Sequence, residues 1–186
     1  MANESKKVRE NYAIYCAFLD EWKTFERDQI SLAEDIHRKN RRGSSQIFYL
    51  TLEGQKRFEA EISIQNRKHY RFKIFAEWFG GMPLFRFDSQ GKAHCNPEDG
   101  TGLRARQVLT PHFQRYRDSG VEIAYHTPVL KKPEEVEQIV ADCILGIEHF
   151  CQEAKLKCNQ KAYPALVIEQ ELMDLSSDDP LTGVSF

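Results

Sequence analysis

The chain has 186 residues, of which 41% are hydrophobic, with a formal net charge of -2 and five cysteines. That length and apolar share are enough for one buried core, and no uninterrupted apolar run reaches the roughly 18 residues of a membrane span. An odd number of cysteines without a CxxC pair argues against a disulfide framework and against a zinc ribbon, so Cys16, Cys95, Cys143, Cys151 and Cys158 read as free thiols with no metal role. The start, residues 1–7, lacks the apolar run of a secretory signal, and the expected location is the cytoplasm.

Charge is segregated along the chain. Residues 38–117 hold 16 Lys/Arg against 7 Asp/Glu, a net of +9, whereas residues 1–37 and 118–186 total -3 and -8. A basic middle between acidic ends suits attraction of a polyanion to one surface. Strands that carry solvated Lys and Arg on an outer face give the same count, so both readings stay open.

From Val8 to Ile36 the pattern is helical: Val8, Tyr12, Tyr15, Leu19 and Trp22 step by three or four. A break is expected near residues 28–31, where Ser31 followed by Glu34 has capping-box spacing for a second short helix. Residues 38–45 then read as an exposed basic loop. Beyond it the period changes from 3.6 to 2. Ile47 to Leu52 is a β-rich run, Phe58, Ala60, Ile62 and Ile64 alternate with polar residues, and Tyr70, Phe72, Ile74, Ala76 and Trp78 alternate with Arg71, Lys73 and Glu77.

Leu84 to Asp88 makes a fourth strand. Residues 89–107 are poor in apolar side chains, and a loop of that length inside a domain suggests function. Val108 to Arg117 and Val121 to Thr127 form a further hairpin across Asp118-Ser119-Gly120. After Pro133 the helical period returns through Val136, Ile139, Val140, Cys143, Ile147 and Phe150. Cys143, Cys151 and Cys158 are expected on one face of that helix. The run Ala165 to Ile168 is ambiguous, and the acidic, Ser-rich end is expected to be mobile or to bind a protein partner.

Short connections between strands make them antiparallel. The predicted fold class is therefore α+β: one curved antiparallel sheet of five or six strands packed on one face by N- and C-terminal helices. It comprises one domain over 1–160, with helices 8–37 and 133–157 flanking a sheet over 46–127, followed by an acidic tail at 161–186.

Strand parity selects candidate site residues. If Phe85, Phe87 and Phe113 face the core, then Arg86, Asp88, His112, Gln114 and Tyr116 share the opposite face of the sheet. The long loop brings His94 and Asn96 within reach of that face. His112 is expected to be exposed there. Arg115 and Arg117 fall on the core parity and are expected near a strand end or an edge.

These residues carry a resemblance. Residues 47–125 resemble a family of small uncharacterised bacterial proteins in Phe58-Ala60-Ile62, Gln65-Asn66-Arg67, Leu84 to Asp88, His94 to Gly100, Pro111 to Tyr116 and Ala124-Tyr125. The family pattern is a strand ending in R-x-D, an H-x-N-P-D-G loop and a P-H-x-H-x-Y strand. This chain departs from it at Gln114, where the family places a second histidine, and in the length of the insert over residues 101–107. The resemblance implies a toxin-like role in bacterial toxin–antitoxin or defence loci. If the family histidines form a catalytic pair, Gln114 weakens or removes the activity.

Two functional classes follow. In the first, a basic sheet face with interleaved Tyr and Phe binds nucleic acid, RNA above all, or a protein partner, using Arg67, Lys68, Arg71 and Lys73 with Asp88, Asn96 and Gln114. The second is metal-independent RNA cleavage, with His112 and His94 as base and acid, Arg86 as phosphate clamp and Tyr116 as a positioning group or proton donor. Neither class calls for a cofactor or a metal, and Asp88, His94 and His112 match no standard metal spacing. The chain contains no GxSxG elbow, Walker loop or GxGxxG.

Overall fold

In the computed structural model the described residues are 4–32, 45–52, 56–63, 66–97 and 107–168. The chain begins with two short helices, α1 (Lys6–Glu10) and α2 (Tyr12–Asp20), followed by β1 (Lys23–Thr24), β2 (Gln29–Leu32), β3 (Ser45–Leu52), β4 (Lys56–Ser63), β5 (Tyr70–Ala76) and β6 (Phe85–Asp88). Then come β7 (His94–Cys95), β8 (Gln107–Val108), β9 (His112–Tyr116), β10 (Glu122–Tyr125), α3 (Pro133–Ala141), α4 (Cys143–Glu153), β11 (Leu156–Lys157) and β12 (Ala165–Ile168).

The main sheet has six strands in the order β10-β9-β6-β5-β4-β3, and every neighbouring pair is antiparallel. This is the expected α+β architecture. The strand order skips from β6 to β9 because β7 and β8 pair with each other as a separate two-stranded ribbon. That ribbon occupies the long segment after Asp88 and is the part of the chain that can fold back over the sheet.

Period-2 alternation sends Phe58, Phe72, Phe85, Phe87 and Phe113 to one face, where they are buried. Phe150 of α4 is the knob that meets them, its ring centroid 5.8 Å from Phe58, 5.5 Å from Phe72, 5.7 Å from Phe85 and 6.2 Å from Phe113. Tyr15 and Phe18 of α2 join the same core. Arg115, on the core parity, escapes at the sheet margin: it is exposed and lays its guanidinium 4.9 Å from the Tyr125 ring centroid.

The helical boundaries differ from those read in the sequence. The first helical stretch ends at Asp20, because Lys23 and Thr24 pair in parallel with Leu156 and Lys157; residues 33–37 of the expected helix lie outside the described residues. Trp22, placed on the apolar stripe by its spacing, is 60% exposed. Ser31, the expected cap, lies in β2, which pairs in parallel with β12. The expected C-terminal helix over 133–157 is two helices broken at Asp142, whose side chain caps α4 by accepting from Ile144 N at 2.8 Å. Cys158 therefore lies beyond the helix, while Cys143 and Cys151 share α4; all five thiols are free.

Among the described residues no helix is long and apolar enough to cross a membrane. The basic loop at 38–44 and the acidic end from 169 lie outside the described residues.

Tyr15 fastens the helical layer to the sheet. Its hydroxyl donates to Leu84 O and accepts from Tyr116 N, both at 2.9 Å. In Tyr15→Phe those backbone groups stay buried without partners, so the variant is expected to lose about 1–3 kcal/mol in urea unfolding followed by circular dichroism. Unchanged stability would show that water replaces the hydroxyl.

Candidate functional site

The polar face of the sheet is organised around Asp88, the last residue of β6, whose side chain is 6% exposed. Register explains why. Arg71, Asp88 and His112 are partners across β5, β6 and β9, and Arg86 is opposite Gln114. Arg86 Nε and Nη2 donate to Asp88 Oδ1 and Oδ2 at 3.0 and 2.5 Å, and Gln114 Nε2 donates to Oδ2 at 2.8 Å. Arg71 Nε lies 3.0 Å from Oδ1 yet is not aligned to donate, so it contributes charge rather than a hydrogen bond.

Two guanidiniums thus share one carboxylate. Burial works against the Arg86 charge, but the hydrogen bonds and charge of Asp88 outweigh it and raise the Arg86 pKa.

His112 is the chief correction to the sequence reading. It was expected to be exposed, and it is 1% exposed. It is not among the phenylalanines, however. Its Nδ1 lies 3.2 Å from Leu109 O and its Nε2 lies 2.8 Å from Gln114 Nε2. A carbonyl oxygen only accepts, so Nδ1 carries the proton and Nε2 offers its lone pair to the Gln114 amide. The Gln114 orientation is fixed in turn by Asp88, since a flipped amide would set two oxygens against each other. Both ring nitrogens are therefore occupied, and neutral His112 has no lone pair to serve as a base.

Burial lowers the His112 pKa, with His94 and Arg86 acting in the same direction against Asp88 and the Leu109 hydrogen bond. Leu109 O also receives His126 Nε2 at 2.8 Å, which holds the segment before β9 from a second side.

His94 and Asn96, which follow β6, lie against the β9–β10 side of the sheet. The His94 ring stands 6.1 Å from that of His112, edge on, and its Nε2 is buried without a partner. Asn96 makes a two-way amide pair with the β10 edge: Nδ2 donates to Ala124 O at 2.8 Å and Oδ1 accepts from Ala124 N at 2.7 Å. Both of its polar atoms are engaged in pinning the ribbon, so it acts as a fastening. Tyr116 is buried beside Tyr15, with ring centroids 6.0 Å apart, and burial raises its pKa, which disqualifies it as a proton donor near neutrality.

Between the polar face of the sheet and residues 90–94, which lead into β7, lies a pocket of about 460 Å³. Arg71, Arg86, Asp88 and Gln114 line it, with Glu122, Thr110, Gln90, Lys92, His69 and His94 around them. His69, Thr110 and Glu122 were missed as site residues. The signal was present for the first two: His69 has the parity of Arg71 and Lys73, and Thr110 has that of His112.

The rest of the face is less basic than its composition suggests. Lys73 Nζ is 2.6 Å from Glu59 and 3.4 Å from Glu61, and Arg71 is 3.8 Å from Glu61. Aromatic platforms are scarce there too, because the alternating Tyr and Phe face the core. Phe75, on the polar parity, is covered by the Arg57 guanidinium at 4.4 Å. Arg67 and Lys68 are exposed on the turn that leads into β5.

No group of three or more metal-ligating side chains occurs among the described residues. No protein-family profile, curated protein or solved structure matches the chain.

The lowered pKa gives a pH dependence with a definite sign. A histidine kept neutral in the fold binds its proton more readily when unfolded, so stability falls as pH drops below the unfolded value near 6.5 toward the depressed folded value. His149, also buried and lowered, acts in the same direction. Urea midpoints between pH 7.5 and 5.5 should show this loss, with a smaller drop in His112→Gln. At pH 7.5 that variant itself should be about 1–3 kcal/mol less stable than the parent, since its partners lose their geometry. Equal pH slopes in both proteins would mean that His112 holds its proton equally well in the folded and unfolded chains.

Proposed function

We propose that this is a cytoplasmic RNA-binding protein in which the pocket between the sheet and residues 90–94 takes a backbone phosphate of a single-stranded RNA. The observation that carries the reading is the pairing of Arg71 and Arg86 with a single buried carboxylate at a concave site. Farther along the face Lys73 is neutralised by Glu59 and Glu61, and Glu61 also stands 3.8 Å from Arg71. In the pocket Arg71 is held by the charge of Asp88 and, at 3.8 Å, of Glu61 without an aligned hydrogen bond to either, so its terminal nitrogens can turn to an incoming anion.

The mixed lining favours a nucleotide over a bare anion. Gln90, Gln114 and Thr110 offer amides and a hydroxyl, and Asp88 and Glu122 add acceptors suited to a ribose 2′-hydroxyl. A concave site of this size fits an unstacked nucleotide, which points to single strands rather than a duplex. Exposed Arg67 and Lys68, on the turn that enters β5 two residues ahead of His69, extend the positive path. The toxin-like role implied by the resemblance in sequence is compatible with such binding, but the saturated state of His112 weighs against cleavage by His112 and His94.

Binding to a labelled single-stranded RNA, followed by fluorescence anisotropy at several salt concentrations, tests the proposal. Arg71→Gln and Lys92→Ala should each reduce the slope of log affinity against log salt by about 0.7. Arg9→Gln, in the N-terminal helix and already paired with Glu4, should leave it unchanged. Slopes unaffected by Arg71→Gln and Lys92→Ala would move the contact away from the pocket.

A further inference from the structure

We propose that the pocket also cleaves RNA by transesterification, with His69 and His94, and not His112, as the acid–base pair. This rests on the reading of the pocket as an RNA phosphate site. His112 is excluded because Leu109 and Gln114 occupy both of its nitrogens. His69 and His94 both line the pocket, and neither ring has a hydrogen bond to the described residues.

Their placement suits the chemistry. His69 precedes Tyr70 on β5 with the parity of Arg71, and its backbone is fixed by bonds from His69 N to Asn66 O and from Ser63 N to His69 O. His94 stands over the β9 side, 6.1 Å from the His112 ring. Strands β5 and β9 are separated by β6, about 10 Å at two strand spacings. The two residues therefore belong to opposite sides of the pocket, with Arg86 and Asp88 of β6 between them and Arg71 beside His69. A phosphodiester seated on the arginines would have one ring on each side.

The reaction needs no further reactant. One neutral imidazole takes the proton of the 2′-hydroxyl as O2′ bonds to phosphorus. The bond from phosphorus to O5′ breaks, and the other ring, protonated, supplies the proton that O5′ takes up. The products are a 2′,3′-cyclic phosphate and a free 5′-hydroxyl. Arg71 and Arg86 face the charge that develops on the phosphoryl oxygens.

The test uses the full chain with a labelled single-stranded RNA in EDTA, alongside the same sequence as DNA and as 2′-O-methyl RNA. Cleavage of RNA alone is expected, with fragments ending in 2′,3′-cyclic phosphate and a bell-shaped pH profile. His69→Gln and His94→Gln, each checked for an unchanged melting temperature, should each slow cleavage by about 100-fold or more while still binding 2′-O-methyl RNA. His94→Asn serves as the second variant should His94→Gln unfold. If the parent binds RNA and leaves it intact, the cleavage inference fails and the binding reading stands. If it binds neither RNA nor 2′-O-methyl RNA, both fail. Cleavage that persists in the folded His69 and His94 variants overturns the assignment of these residues.

Discussion

A single buried carboxylate sets the arrangement of the whole polar face. Asp88 sits at the end of a central strand with β5 on one side and β9 on the other, so its neighbours in the register are Arg71 and His112. An unpaired carboxylate in that position would be prohibitively unfavourable. The chain supplies Arg86 from the same strand, Arg71 from β5 and Gln114 from β9, and these three hold the face to a fixed geometry. The Gln114 amide then dictates the protonation of His112, and His112 in turn helps to hold the segment around Leu109 against the sheet. One charge, through a chain of hydrogen bonds, thereby fixes a tautomer and the start of a strand.

The same constraint separates structural from available groups. His112, Asn96, Tyr116 and Lys73 all have the chemistry of functional residues, yet each is committed to a partner within the fold or sealed in the core. Arg71, Lys92, His69 and His94 are less committed, and they surround the pocket. A proposed RNA site built this way is preorganised: its arginines are already partly buried and held beside Asp88 before any ligand arrives.

Much of the fold was legible because alternation is a strong signal. Phe58, Phe72, Phe85, Phe87 and Phe113 fell on the buried face that parity predicted, and Arg86, Asp88, His112 and Gln114 fell opposite. The helical ends were not legible, because their limits are set by distant pairing. Nothing local in Lys23-Thr24 announces a parallel partner at Leu156-Lys157. The break at Asp142 was hidden because the apolar stripe runs through it unbroken. The burial of His112 was equally hidden. Parity gives the face of a residue, whereas its exposure depends on whether His94 and its neighbours lie over it, and that depends on the Asn96 amide finding the Ala124 backbone. The net charge of residues 38–117 misled for a related reason: composition cannot see that Lys73 meets Glu59 across the strands.

The central claim is that Arg71 and Arg86 on the Asp88 carboxylate are where an RNA phosphate docks. Its most direct test is nuclear magnetic resonance of the arginine Nε–H groups and histidine rings during titration with 2′-O-methyl RNA, which binds without chemistry. The account predicts saturable shifts at Arg71, Arg86 and His94 that fit one dissociation constant. Shifts confined to Arg67 and Lys68, with Arg71 and Arg86 unmoved at saturation, would contradict it.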